Sequence, residues 1–148
     1  MSDTRRAWYR WLFGIAAVYD LALGIVFLFF GRQAFEWLGI ADEFPEGGYL
    51  ALIGAFVLVL GFAYGLIWRG DLVRNRDLVV TGTLYKLAYT AVGVTYAMTA
   101  GVPHPIFLWG FGVADAVFCV LMAECLYQLF RQRRDDEVAL SQQEYSMT

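Results

Sequence analysis

The chain has 148 residues, enough for a single domain by length. Hydrophobic residues make up 59% of it and charged residues only 17%, against about a quarter charged in ordinary globular domains. Net charge is −3 and no extended basic tract occurs. This balance excludes intrinsic disorder, a nucleic-acid reader and a secreted disulfide scaffold, and leaves an integral membrane protein.

A helix crosses the hydrocarbon core with about 20 mostly apolar residues. Four stretches meet that length, at residues 11–30, 49–68, 78–100 and 106–130, followed by a polar tail at 131–148. None alternates at period two, so membrane β-strands are excluded. Pro45, Pro103 and Pro105 all fall between the stretches, so no span is kinked by proline. The expected architecture is all-α: one domain, a four-transmembrane-helix bundle.

The first span follows Arg5, Arg6 and Arg10 and so resembles a signal peptide at first sight. Its apolar run exceeds the roughly 7–15 residues of a signal core, and Asp20 stands in its middle. An uncleaved span is expected. Arg69, Arg74 and Arg76 lie between spans two and three, and Arg131, Arg133 and Arg134 follow span four. On the other side stands only Arg32, among Glu36, Asp42, Glu43 and Glu46. By the positive-inside rule both termini are expected in the cytoplasm. Trp8, Trp11, Trp68, Tyr127 and Phe130 would mark the inner interface, and Trp37, Tyr49 and Trp109 the outer one.

The first loop, 31–48, places Phe35, Trp37, Leu38 and Ile40 before an acidic turn. An amphipathic helix on the outer leaflet and a partly buried loop both fit this pattern. The polar tail is expected to extend the last helix for a turn or two and then fray.

Four ionisable residues lie within the spans: Asp20, Lys86, Asp115 and Glu124. At about 1.5 Å per residue, Asp20 and Lys86 lie roughly 14 and 12 Å from the inner edge, and Asp115 roughly 13 Å from the outer one. Glu124 falls near the inner interface, within reach of water or a tail arginine. A charge at the bilayer centre costs at least about 2.5–3.5 kcal/mol. Three such charges on three helices therefore imply pairing, Lys86 with Asp20 or with Asp115, the other carboxylate protonated or hydrogen-bonded. Each charge recurs at helical spacing with small residues: Ala17, Asp20, Gly24 and Phe27; Gly82, Lys86, Tyr89, Gly93 and Tyr96; Gly112, Asp115, Cys119 and Met122. Faces of this kind let membrane helices approach closely. Span two adds Gly54, Gly61 and Gly65, whose Gly61-x-x-x-Gly65 pair fits either a dimer face or internal packing. Tyr19, Tyr85 and Tyr89 lie too deep for an interfacial belt, and their hydroxyls need polar partners such as this cluster. Asp20, Lys86, Asp115, Tyr19, Tyr85 and Tyr89 are thus the candidate site, read either as a ligand site or as a buried pair that fixes register.

Other chemistry is thin. His104 stands alone in a Pro-His-Pro turn, too isolated for a zinc or bis-histidine haem site. Cys119 and Cys125 are separated by roughly 9 Å of helical rise and point apart, which precludes a disulfide between them. No Walker motif, dinucleotide fingerprint or metalloprotease motif is present, and serines occur only in the tails, as Ser2, Ser141 and Ser146.

The first-span run Leu-Ala-Leu-Gly-Ile-Val-Phe-Leu-Phe-Phe-Gly, the short aromatic outer segment and the glycine-rich second span resemble small four-span bacterial membrane proteins of the DoxX-like family. The resemblance covers most of the chain in outline and implies a bacterial membrane subunit, in some members accompanying quinone-linked oxidation. It transfers no catalytic residue. The expected role is a non-catalytic subunit or a small-molecule- or lipid-binding bundle. Alternatives are a quinone- or lipid-handling redox component and an oligomeric proton or ion pathway. The expected partners are the bilayer, other membrane subunits or a second copy, with no nucleic acid, no metal and, short of a quinone, no cofactor.

Overall fold

The computed structural model describes residues 2–45, 48–99, 101–102 and 104–146. Glu46, Ala100 and Pro103, which enter the sequence reading, and the last two residues of the tail lie outside them. The described regular structure is all helical: α1 (Asp3–Phe29), α2 (Gly31–Trp37), a 3₁₀ turn (Ala41–Glu43), α3 (Tyr49–Arg69), α4 (Arg76–Thr99), a π-helical turn (Phe107–Gly112) and α5 (Val113–Ser146). Four helices are long and apolar enough to cross a membrane: α1, α3, α4 and the helix running from Phe107 through α5. The shortest, α3, has 21 residues. Its length of about 31 Å matches a hydrocarbon core of about 30 Å.

Local chemistry sets the helix ends. Ser2 caps α1, its hydroxyl accepting from the Arg5 N–H at 3.4 Å, so the helix begins well before the apolar run does. Gly48, at φ 75°, turns the chain into α3. Between α3 and α4, the Asp71 carboxylate accepts from the N–H groups of Val73 and Arg74 at 2.9 and 3.1 Å. The expectation that α5 frays soon after Phe130 is replaced by a continuous helix to Ser146. The tail has no glycine or proline to stop it, and Arg133 bonds Glu137 one turn on at 2.8 Å.

The first loop combines both of its expected forms. Residues 31–37 are helical, yet Phe35 is buried against Phe44 and Phe107, while Trp37 is 94% exposed. Two residues of helix rotate a side chain by about 200°, so one ring faces in and the other out.

Glycine decides how α1 meets α3. A Cβ on Gly24 would lie 2.7 Å from the Leu58 nitrogen, and one on Gly54 would lie 2.6 Å from the Leu28 nitrogen. The two backbones are in contact, which only glycine permits. Gly61 packs on Leu21 in the same seam, whereas Gly65 faces open space. Within the chain, the Gly61-x-x-x-Gly65 pair is therefore internal packing at one position only.

One end of the bundle gathers the start of α1, the α3–α4 turn and the beginning of the α5 extension. The Arg10 guanidinium donates to the Trp68 carbonyl at 2.9 Å, Arg6 approaches Asp71 at 3.9 Å, and Arg76 lies over Phe130 at 5.5 Å. Glu124 is exposed here, beside Arg5 and Tyr9. The main core fills this terminal half, with Tyr9, Leu12, Phe13, Tyr64, Ile67, Leu72, Val79, Met122 and Cys125 all buried. A smaller core on the opposite side joins Phe27, Phe35 and Leu50, with Phe107 and Phe111 packed against it. No residue of α4 belongs to that second core.

Candidate functional site

Each of three long helices carries one charge to the same level. Lys86 Nζ of α4 donates to Asp20 Oδ1 of α1 at 2.7 Å and to Asp115 Oδ1 of α5 at 2.5 Å. Asp20, Lys86 and Asp115 are 0%, 1% and 3% exposed. The sequence leaves open which carboxylate Lys86 pairs with, the other being protonated or hydrogen-bonded. The ammonium sits between both and bonds each, as a triad. Such charges are tolerable away from water only when charge-assisted hydrogen bonds replace hydration, and Lys86 makes two.

Aromatic rings enclose the ammonium. Their centroids lie 5.1 Å (Tyr19), 5.4 Å (Tyr85), 5.6 Å (Phe118) and 5.8 Å (Tyr64) from Nζ, all within cation–π range. Tyr89 stands one layer away, against Tyr85 at 6.3 Å. The structure thus gathers Asp20, Lys86, Asp115, Tyr19 and Tyr85 around one atom and sets Tyr89 beside them.

Tyr64 and Phe118 complete the enclosure, and sequence reasoning passed over both. Tyr64 belongs there because Gly82, one turn before Lys86, has no side chain to block its ring. Its hydroxyl donates to the Gly82 carbonyl at 3.0 Å, a buried bond joining α3 to α4. The available signal was its spacing of three from Gly61, which places it on the seam; for Phe118 it was the spacing of three from Asp115.

Hydrogen bonding in the site is incomplete. Asp20 Oδ2, Tyr19 Oη and Thr90 Oγ1 are buried and make no hydrogen bond within the chain. Two carboxylates face one ammonium, so acceptors outnumber donors.

Two cavities lie on the α2 side of the triad, and neither wall includes one of its three charges. The larger, a cleft of about 430 Å³, runs along α1 from Val18 to Phe27, beneath α2 and beside the π-helical turn. Its lining is apolar apart from Tyr19, the one residue shared with the enclosure of Lys86. The smaller, about 200 Å³, lies between α4 and the fourth span, with Tyr89 and Thr90 in its wall. Phe107 lines both. The π-helical turn carrying it widens the backbone locally, an irregularity often found at functional sites.

The remaining candidates stand apart. His104 Nδ1 accepts the Ile106 N–H at 3.2 Å and so caps the start of the fourth span. Cys119 and Cys125 are both free thiols. Comparison with protein-family models, with curated proteins and with solved structures finds no match to this chain.

Proposed function

We propose that this chain is a non-catalytic membrane protein, a subunit or small-molecule-binding bundle, whose Asp20–Lys86–Asp115 triad is the polar end of a ligand site. One observation carries the reading: a buried triad of uneven charge, with unbonded polar atoms, is enclosed in part by Tyr19, which also lines an apolar cleft. A triad that served only to fix register would be expected to have its polar atoms satisfied and its surroundings closed. Here Asp20 Oδ2 and Tyr19 Oη are unsatisfied, and Tyr19 is shared with the cleft.

The apolar cleft favours a ligand drawn from the membrane itself, a lipid or a quinone, as for the redox-linked subunits that a DoxX-like kinship would imply. A proton or ion pathway is the weaker alternative, because buried side chains from all four long helices fill the terminal half below the triad. The arginines gathered at the terminal end support an orientation with both termini in the cytoplasm, and a DoxX-like kinship would make the membrane a bacterial inner one.

Native mass spectrometry of the protein, released gently from its own membranes, tests the reading. The expected result is a retained small molecule or partner subunit, lost in a folded Lys86→Met variant. A ligand-free chain, together with a Lys86→Met variant that fails only by unfolding, would reduce the triad to a structural device.

A further inference from the structure

The terminal end of the bundle holds a second polar feature, separate from the triad. Where α1 enters its apolar run and α3 leaves its own, Ala7, Arg10, Trp11, Trp68 and Arg69 line a groove of about 410 Å³. Two contacts build it. Arg10 Nε donates to the Trp68 carbonyl at 2.9 Å, and that carbonyl belongs to the peptide bond leading into Arg69. One guanidinium is thus pinned beside the residue that carries the other. The Trp68 indole lies on α1 at Gly14, where a Cβ would stand 3.1 Å from the ring, and its centroid is 5.8 Å from that of Trp11.

The side chains of the wall offer a single kind of polar chemistry. Guanidinium and indole N–H groups donate and never accept, and Ala7 does neither. Among the described residues neither Arg10 nor Arg69 has a carboxylate partner, whereas Arg6, Arg76 and Arg133 at the same end each have one. Two unpaired cations and two indoles, with no acceptor among them, select a ligand that is anionic and rich in acceptors. A phosphate diester fits, because its unesterified oxygens can accept from both guanidiniums. A head that also carries an ammonium would place that charge beside two guanidiniums, with no carboxylate in the wall to receive it.

Position decides where the phosphate comes from. Trp11 and Trp68 are the first and last residues of their apolar runs, the level at which lipid headgroups lie. From the groove, α1 exposes Ile15 and Val18 at helical spacing from Trp11, and α3 exposes Leu66 and Phe62 at helical spacing from Arg69. Both stripes lead from the groove into the hydrocarbon, where acyl chains can lie along them.

We infer that this groove binds one anionic phospholipid, its phosphate held between Arg10 and Arg69 and its chains along the exposed faces of α1 and α3. The site is independent of the triad and of any ligand there. The lipid head neutralises two guanidiniums that the chain itself leaves unpaired.

The full chain in detergent micelles is titrated with dioleoylphosphatidylglycerol, and bound lipid is counted by native mass spectrometry. Dioleoylphosphatidylcholine supplies the same chains and phosphate with a compensating cation, and glycerol 3-phosphate supplies the phosphate without chains. One phosphatidylglycerol per chain is expected, bound about thirtyfold more tightly than phosphatidylcholine, each guanidinium contributing about fivefold. Arg69→Gln, which breaks no bond among the described residues, lowers that preference about fivefold, and the Arg10→Gln, Arg69→Gln double variant removes it. Arg131→Gln with Arg134→Gln takes the same charge from the same end, outside the groove, and leaves the preference unchanged. Absence of bound phosphatidylglycerol, or equal or tighter binding of phosphatidylcholine, overturns the inference. So does an equal loss in the two double variants, which would make the preference a property of the whole charged end. Glycerol 3-phosphate binding as tightly as phosphatidylglycerol would mean that the phosphate comes from water, and overturns the assignment to lipid.

Discussion

On the terminal side of Lys86, α4 buries Val79, Gly82 and Thr83 among its neighbours; on the far side none of its described residues is buried. The fourth span mirrors this division. Its π-helical turn buries nothing, Asp115 is the first buried residue after it, and Met122, Cys125 and Leu129 follow toward the terminal end. The triad therefore sits on the boundary between a packed floor and an open vestibule. The floor holds the three charges at one level, and above them α4 and the start of the fourth span are loosely packed. In the same layer α1 is buried on both sides of its charge, at Ala16 and Ala17 and again at Gly24 and Phe27. The α1–α3 seam is then the rigid wall, and α4 with the start of the fourth span is the loose one.

The sharpest way to break this picture is to unbalance the floor. Lys86→Met leaves two buried carboxylates without their cation, and removing one member of a buried ion set costs about 3–5 kcal/mol. Reversible unfolding in mixed micelles is expected to show that loss. The triple variant Asp20→Val, Lys86→Met, Asp115→Val, which leaves no charge behind, is expected to recover most of it. A single variant as stable as the parent would mean that the charges contribute nothing to the floor.

The next effect contrasts the two walls directly. Gly54→Ala drives a methyl into the backbone of α1 at Leu28, and Gly24→Ala does the same to α3 at Leu58. Overpacking of this kind costs about 1–3 kcal/mol. Gly93→Ala, on the open half of α4, meets nothing within 4 Å. There the helix gains about 0.5–1 kcal/mol from losing a flexible residue. Equal losses at Gly24 and Gly93 would show that the far half of α4 is packed after all.

These contrasts also mark what the sequence could and could not disclose. Asp20, Lys86 and Asp115 were legible because a charge within an apolar run has few permissible surroundings, and helical rise alone put them at one depth. The stripe Gly82, Lys86, Tyr89, Gly93, Tyr96 was legible only in its first half. Periodicity identifies a face but not whether a neighbour covers it, and Tyr96 is 59% exposed. Tyr64 was passed over because nothing within its own span marks it as buried beside a charge. What places it in the core is the empty position at Gly82, on another helix. The π-helical turn has no sequence signature of its own, since Phe-Leu-Trp-Gly-Phe-Gly suits an α-helix equally well.

Tyr64→Phe isolates the bond between the rigid wall and the loose one. The ring over Lys86 stays and only the hydroxyl is lost, leaving the Gly82 carbonyl one partner short. The expected cost is about 0.5–1.5 kcal/mol, the usual net worth of such a bond. If α4 is held chiefly through this bond, amide exchange should rise along α4 beyond Lys86 and stay unchanged in α1. A uniform rise along all four helices would instead place the bond in the floor.

The smallest effect separates internal packing from self-association within one motif. Gly61 and Gly65 are one turn apart on α3, but only Gly61 touches a neighbour: a Cβ there would lie 2.8 Å from the Leu21 nitrogen. Gly61→Ala therefore forces α3 away from α1 and lowers stability, while Gly65→Ala adds a methyl to an open surface. If that surface meets lipid, Gly65→Ala leaves the oligomeric state unchanged and raises helix stability by up to about 1 kcal/mol. If it meets a second copy through close backbone contact, the same methyl weakens association, because the small residue is what permits the approach. Sedimentation in density-matched detergent, run on the two variants side by side, distinguishes these results. Weaker association in Gly65→Ala alone, with Gly61→Ala merely less stable, would assign the two glycines of a single motif to two different interfaces.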